Sequence, residues 1–500
     1  MVMSLESSAI DAAKKGSADL LILATCLLWT VGVLFGLRRQ HRFIIGFLVT
    51  ACIGGALEAA GNEFRWQMVP AYVFLLLATL RGAVDMSGRI RTPPKTWVKV
   101  LVGTLLVMAT LVVIAIPTML FPRVIYKKPT GPYQVGVRSE FWIDSSRAET
   151  FTADPSDYRK LLVEIWYPAD VGKGASRATV HPDPDALAKA MANDLPGGYP
   201  SFLFKSAGSG LTWAYRDQPV SGAERSFPLL VFSHGFGGTR VQNGFEMAEL
   251  ASHGYVIASV EHSYTSMATS FPDGTSAKMD SAAAFVLNND STSVRIVNIW
   301  AADGRFVIDR MFALDRGDPR QMLSGRIDTT KVGYLGHSFG GATAAQVMSL
   351  DPRVLTGINM DGYLAGTAWV NGLDRPFLQF RSDPIDFDTI SEDLLKAAGT
   401  TKEAIKEIFQ QWQERTAQVL KSGGREVHIK GTAHNNYSDL PMMSPIVMRM
   451  AQQAGPIAPA RAYEIINAVT LSWFDKYLKG KPAPLLDNPS ATYPEAEVLK

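Results

Sequence analysis

Two runs without a single charge constrain this chain more than any other feature: LLILATCLLWTVGVLFGL at 20–37 and VLVGTLLVMATLVVIAIPTML at 100–120. At 18 and 21 residues, each is long enough to cross the ~30 Å hydrocarbon layer of a bilayer as a helix. Between them, FIIGFLVTACIGGAL at 43–57 and a weaker run from Trp66 to Leu80, interrupted by Pro70, give a second and a third span. The expectation for residues 1–128 is an all-α membrane bundle of about four transmembrane helices, near 20–37, 43–60, 66–82 and 99–120. The first run is longer than an ordinary signal-peptide core and is followed by RRQHR, with no A-x-A-like cleavage site, so it reads as a retained span.

With four spans, the linkers 38–42 and 81–97 share one side of the membrane. They hold Arg38, Arg39, Arg42, Arg81, Arg89, Arg91 and Lys95, against Arg65 alone in the linker between them. The positive-inside bias puts both basic linkers in the cytoplasm and everything after Phe121 outside. A multi-pass protein of the cell membrane with an extracytoplasmic domain follows. Glu58 lies near the end of a span, where a lone acid is interfacial rather than part of an ion path, so the bundle reads as an anchor.

Residues 129–500 mix charged, aromatic and turn residues as a globular domain does. Short apolar runs recur along them: LLVEIWYP (161–168), PLLVFSHG (228–235), YVIASVEH (255–262), KVGYLGHS (331–338), LTGINMDG (355–362), PFLQFRSD (376–383) and EVHIKGTAH (426–434). Helical periodicity appears at 240–253, 292–313, 341–349 and 463–478. Strand and helix alternating in this way specify a mostly parallel sheet with helices on both faces. Two stretches break the alternation, 170–225 and 391–422, and both read as cap-like insertions over a site.

Lys plus Arg number 49 against 47 Asp plus Glu, and no basic block is interleaved with aromatics. Nucleic acid is therefore not an expected partner. The only cysteines, Cys26 and Cys52, lie in the apolar N-terminal runs. The rest of the chain has no thiol, no disulfide and no cysteine-based metal site.

The stretch KVGYLGHSFGGATAAQVM (331–348) contains G-x-S-x-G at Gly336, Ser338 and Gly340. The pattern alone is weak, because a chain of this length carries one by accident about one time in six at average Gly and Ser usage. Its context is stronger: an apolar run precedes it and a helical stretch follows, the strand, sharp turn and helix that lift a serine hydroxyl above a sheet. A serine hydroxyl needs a base to take its proton, and in this fold context the order is serine, acid, histidine. Of the eight histidines only His428 and His434 follow Ser338. His428 lies inside a strand pattern, whereas His434 falls just beyond it in GTAHNN, so His434 is the expected base. Asp361 and Asp383 each end a strand and compete to orient it; spacing does not separate them. The oxyanion donors are expected at the backbone N–H of Phe339, after the serine, and of Phe236, in the glycine turn of VFSHGFGG.

Several blocks together resemble a known family. PLLVFSHGFGG, ELASHGYVIASVEH, GHSFGGATA, INMDGYL and GTAHNNYSDL, with GPYQVGVRSEFW (131–142) and LLVEIWYPAD (161–170), are similar to the single-chain platelet-activating-factor acetylhydrolases of the α/β-hydrolase type and their bacterial relatives. The resemblance runs over roughly residues 130–480; residues 170–210 and 391–422 match poorly and the apolar N-terminal runs fall outside it. It implies an α/β-hydrolase fold, a nucleophile at Ser338, a base at His434, oxyanion donors at Phe236 and Phe339, no metal or organic cofactor, and the acid at Asp361 rather than Asp383.

The resulting expectation is a membrane-anchored serine esterase acting on short-acyl or oxidised phospholipids or similar lipid esters. A broader esterase, of the polyester or dienelactone hydrolase kind, shares the same triad. A catalytically silent hydrolase-fold binding ectodomain predicts a damaged triad or oxyanion turn, and none is visible.

Overall fold

The computed structural model describes residues 124–499 apart from 195–199, 281–282, 284–289, 385–386, 388–391, 393–394 and 396–399, together with 25–26, 28–29, 32, 44–47, 49–51 and 69–86. The chain divides into two compact units, Met1–Arg123 and Val124–Lys500.

In the first unit, helix α1 (Val69–Met86) buries Ala71, Leu75 and Ala78 with Cys26, Trp29, Ile44 and Phe47. Its Val73, Leu76, Leu77 and Leu80 are exposed. Among the described residues no helix is long and apolar enough to cross a membrane. The runs expected to span near 20–37, 43–60 and 99–120 lie largely or wholly outside the described residues.

The second unit is built on one large sheet. In chain order its strands are β1 (Gln134–Ala148), β2 (Tyr158–Ala169), β3 (Arg177–Thr179), β4 (Leu211–Arg216), β5 (Phe227–Ser233) and β6 (Val256–Glu261). A separate hairpin, β7 (Ala268–Ser270) with β8 (Ser276–Lys278), precedes β9 (Ile327–His337), β10 (Val354–Met360), β11 (Phe377–Arg381), β12 (Arg425–Ile429) and β13 (Ala496–Leu499). The sheet order is β13-β12-β11-β10-β9-β5-β6-β2-β1-β4-β3. From β6 through β5, β9, β10 and β11 to β12 the pairing is parallel. Every residue of β5 and β6 is buried, which is why these strands read as continuous apolar runs rather than as an alternation.

Helices cover both faces. On one face α2 (Gly244–Ser252) and α6 (Pro459–Lys479) bury Phe245, Met247, Leu250, Ile465, Val469 and Trp473. On the other, α3 (Asp290–Gly317) and α4 (Phe339–Leu350) contribute Val307, Ile308, Met311, Ala344, Ala345 and Val347. Helix α5 (Lys402–Leu420), within the expected insertion 391–422, buries Trp412, Arg415, Thr416 and Val419. Arg415 donates to the Leu364 carbonyl, tying α5 to the loop that leaves β10. The insertion 170–225 supplies β3 and β4, which extend the sheet past β1.

The connection after β5 leads to its neighbour β6 on one side, and the connection after β9 leads to β10 on the other. Strand order therefore reverses between β5 and β9. A crevice opens at the carboxyl ends of strands where such a reversal occurs, and it is where open sheets of this kind receive ligands.

Two carboxyls are buried beside α2. Asp439 accepts hydrogen bonds from Tyr126 Oη (3.0 Å) and the Gly244 N–H (2.9 Å), and Glu246 accepts from Asn243 Nδ2 (3.0 Å). Burial pushes Asp439 from 3.8 up to about 7 and Glu246 from 4.5 up to about 7. Both are raised on folding, so the native state holds protons that the unfolded chain releases. The stability they contribute is complete below about pH 4 and is lost as pH rises through about 7. Thermal unfolding should therefore show the wild type losing more Tm between pH 5 and pH 8 than Glu246→Gln or Asp439→Asn, whose side chains stay neutral. Parallel Tm curves for all three proteins would contradict this.

Candidate active site

Strand β9 ends at His337 and α4 begins at Phe339, so Ser338 makes the whole turn between them, with φ 56° and ψ −122°. That region disfavours a residue with a Cβ. The turn is held from two sides. The Ser338 N–H donates to the Met360 carbonyl at the end of β10 (2.9 Å), and the Ser338 carbonyl accepts from Gly341 (2.9 Å). A Cβ on Gly340 would lie 2.0 Å from the Ser233 carbonyl oxygen, and one on Gly336 would lie 2.3 Å from the Gly340 backbone. Glycines at these two positions let the backbone pass that closely.

The structure brings Ser338, His434 and Asp361 together in one hydrogen-bonded row. His434 Nε2 is 2.9 Å from Ser338 Oγ, and His434 Nδ1 is 2.9 Å from Asp361 Oδ2. A carboxylate only accepts, so Nδ1 carries the proton and Nε2 presents a lone pair to the serine hydroxyl. Asp361 is buried and also accepts from the Ser382 N–H (2.8 Å) and Ser382 Oγ (3.0 Å). The imidazole of His434 is 42% exposed, whereas the Asp361 side chain is 3% exposed. The carboxylate is thus fixed inside the protein while the imidazole is open to solvent.

Asp383 is placed elsewhere. Its Oδ1 is 2.8 Å from His428 Nε2, and its Oδ2 accepts from the Gly431 N–H (2.9 Å). His428 Nδ1 reaches Glu497 Oε1 on β13 (3.0 Å). The pair pins the exit of β11 to β12 and to the start of the loop that carries His434.

Phe236 and Phe339 lie on the two sides of the switch point, one just past β5 and the other opening α4. Their rings meet edge to face with centroids 6.1 Å apart. The turn around Phe236 is closed by hydrogen bonds from Gly237 to the Thr265 carbonyl (2.9 Å) and from Gly238 to the Gly235 carbonyl (2.8 Å). Among the described residues neither the Phe236 nor the Phe339 N–H donates to a backbone carbonyl. Such donors, one of them at a helix N-terminus, suit a developing negative charge.

Behind the Phe236 turn lies a buried polar wall that motif reading passed over. His262 Nε2 is 2.9 Å from Ser233 Oγ and His262 Nδ1 is 2.9 Å from Asp303 Oδ2. The arrangement copies the row at Ser338, but Ser233, His262 and Asp303 are all fully buried, so no ester can reach it. Burial would raise the Asp303 carboxyl, yet Arg159 and His262 beside it outweigh that and hold it low. Burial lowers His262 and takes His234 down to about 3, so both stay neutral. His234 Nδ1 donates to the Gly235 carbonyl (2.7 Å), and its Nε2 accepts from the His262 N–H (3.2 Å), while Ser266 Oγ, 3.0 Å from the same nitrogen, donates to the His262 carbonyl (3.0 Å). Trp300 stacks on His262 with centroids 3.9 Å apart. The only sequence signal for this wall is a histidine just past the carboxyl end of each of two neighbouring strands, in VFSHG and VEHS.

The family model described as "Platelet-activating factor acetylhydrolase, isoform II" matches residues 119–296 and 296–483. A platelet-activating factor acetylhydrolase of Cavia porcellus is 28% identical over 279 residues, covering 52% of this chain and 60% of that protein; the chain thus spans about three-fifths of that relative's length. A probable 1-alkyl-2-acetylglycerophosphocholine esterase of Arthroderma benhamiae is 25% identical over 426 residues, covering 79% of this chain and 98% of that protein. Among solved structures, a ferulic acid esterase from Streptomyces cinnamoneus superposes with a TM-score of 0.58 at 27% identity, over 74% of this chain and 98% of that one. With the family model extending across most of the sequence, the chain belongs to the platelet-activating factor acetylhydrolase, isoform II, family.

Proposed function

We propose that this protein is a membrane-anchored serine hydrolase of carboxylic esters, acting on short-acyl or oxidised phospholipids and similar lipid esters. The observation that carries the reading is the row Ser338–His434–Asp361, with its base open to the crevice.

In this reading the reaction runs in two halves. As Ser338 Oγ attacks the ester carbonyl carbon, its proton passes to His434 Nε2, and Asp361 holds the Nδ1–H of the imidazolium that forms. The N–H groups of Phe236 and Phe339 hold the oxyanion. The leaving alkoxide takes the proton from Nε2 and departs as the alcohol. Water, deprotonated by the same nitrogen, then attacks the acyl enzyme and releases the carboxylic acid and Ser338. No step needs a metal ion or an organic cofactor.

The names of the relatives support a phospholipid bearing an acetyl ester as substrate. The likeness to a ferulic acid esterase favours a second reading, an esterase of broader scope, because it covers nearly all of that enzyme. Anchoring by the N-terminal unit rests on the charge-free runs and on α1, which buries one apolar stripe and exposes another. A helix apolar on both sides suits lipid more than water. The basic linkers support a catalytic unit outside the cytoplasm.

Ser338→Ala and His434→Ala should abolish fluorophosphonate labelling and lower esterase activity ~10⁴-fold or more; equal labelling of wild type and Ser338→Ala would refute the nucleophile. Asp361→Asn should cost ~10³- to 10⁴-fold in kcat, as loss of the orienting carboxylate does in serine hydrolases, while Asp383→Asn should stay within about tenfold. The reverse order would exchange the two acids. Rates on p-nitrophenyl esters should fall steeply from acetate to palmitate, and 1-alkyl-2-acetylglycerophosphocholine should be cut faster than methyl ferulate. A preference for the ferulate would favour the broader esterase. The protein should stay in the membrane pellet after alkaline carbonate, and the catalytic unit should be open to protease added to intact cells. Release by carbonate, or protection until lysis, would contradict the anchor or the orientation.

A further inference from the structure

Three loops must keep register for the proposed reaction: the turn after β5 with Phe236, the elbow with Ser338, and the loop that carries His434. Two side chains outside the triad join all three. Gln242 Oε1 accepts from the Gly235 N–H (3.2 Å), which fixes the amide orientation because a backbone N–H needs an acceptor. Gln242 Nε2 therefore donates, and it lies 2.9 Å from His337 Nδ1. The other nitrogen of that ring, His337 Nε2, is 3.1 Å from the backbone carbonyl oxygen of His434. A carbonyl only accepts, so the proton sits on Nε2 and the lone pair on Nδ1, and both ends of the neutral ring are satisfied.

We infer that His337, oriented by Gln242, is a positioning residue that holds the backbone of His434 so that its imidazole stays in line with Ser338. This rests on the reading of Ser338 and His434 as nucleophile and base. His337 precedes the nucleophile in sequence and is buried, and its ring centroid is 4.8 Å from that of His434. Burial, and then the neighbouring His434, hold its imidazole well below the usual histidine range. A neutral ring there places no second positive charge beside the imidazolium that forms on His434 during turnover. The surroundings leave little slack: a Cβ on Gly235 would lie 2.9 Å from His337 Nδ1, and one on Gly238 would lie 2.3 Å from Gln242 Oε1.

The two ends of the ring can be tested apart. Gln at 337 can place a donor where Nε2–H stands, and Asn can offer an acceptor only where Nδ1 stands. On the full-length protein, the second-order rate of fluorophosphonate labelling, kcat and KM for p-nitrophenyl acetate, and Tm are measured for wild type, His337→Gln, His337→Asn and Ser338→Ala. Expected for His337→Asn is a labelling rate and kcat ~10- to 100-fold below wild type with KM within about twofold, the size of effect that a small misplacement of a catalytic group produces. His337→Gln should recover to within about fivefold of wild type. Equal rates for the Asn and Gln variants would overturn the inference while leaving the triad standing. Wild-type labelling no faster than that of Ser338→Ala would remove the nucleophile and the inference with it. If His337→Asn does not fold, Gln242→Leu carries the test. It leaves Nδ1 without its donor and should slow labelling ~10-fold at unchanged KM; labelling at the wild-type rate would overturn the inference.

Discussion

One residue held in an unfavourable backbone conformation, Ser338 at φ 56°, is the constraint on which the site depends. A non-glycine residue in such a region costs ~1–3 kcal/mol and persists only where its surroundings enforce it. Here they do so through close backbone contact: Met360 of β10 accepts the Ser338 N–H, and α4 leaves so near β5 that position 340 has no room for a Cβ. The hydroxyl is thereby raised over the switch point, and the first N–H groups of α4 face the same place. Asp361 sits one residue past β10, itself at φ 58°. Two strained turns on adjacent strands thus aim the serine and the acid at a single histidine.

The histidines show how environment rather than residue type assigns a role. His262 and His434 each bridge a serine and an aspartate at nearly equal distances. His262 is sealed under Trp300 and kept neutral by burial, where its hydrogen bonds serve to hold the end of β5 rigid. His434 has 42% of its side chain exposed, the access that the proposed reaction requires at the serine beside it. In the proposed reaction, rigidity behind the Phe236 turn and access in front of His434 are complementary needs, since donors stabilise an oxyanion only if they are already in place.

Much of this was legible in the sequence, for physical reasons. Strands β5 and β6 are buried throughout, as are residues 332–337 of β9, 356–360 of β10 and 377–380 of β11, so they appear as short, largely apolar runs, and GHSFGG between a strand and a helix marks the elbow. Strand β1, in QVGVRSEFWIDSSRA, mixes charge with apolar residues because it lies towards the edge of the sheet and pairs antiparallel with β2, and it did not register as a strand. The insertion 170–225, read as a cap, hides two further strands in short segments. Spacing left Asp361 and Asp383 level because each ends a strand; only three dimensions show that Asp383 spends its carboxylate on His428 and Gly431. The buried wall of His234, His262 and Asp303 had no motif at all, since its members come from separate elements and act by filling and pinning.

In the proposed reaction the strained serine forms the covalent intermediate. The most direct test of this is mass spectrometry of the wild-type protein after reaction with diethyl p-nitrophenyl phosphate, followed by peptide mapping. One diethylphosphoryl adduct per chain is expected, on the peptide carrying Ser338. An adduct on another residue, or none on a protein that still hydrolyses esters, would contradict it.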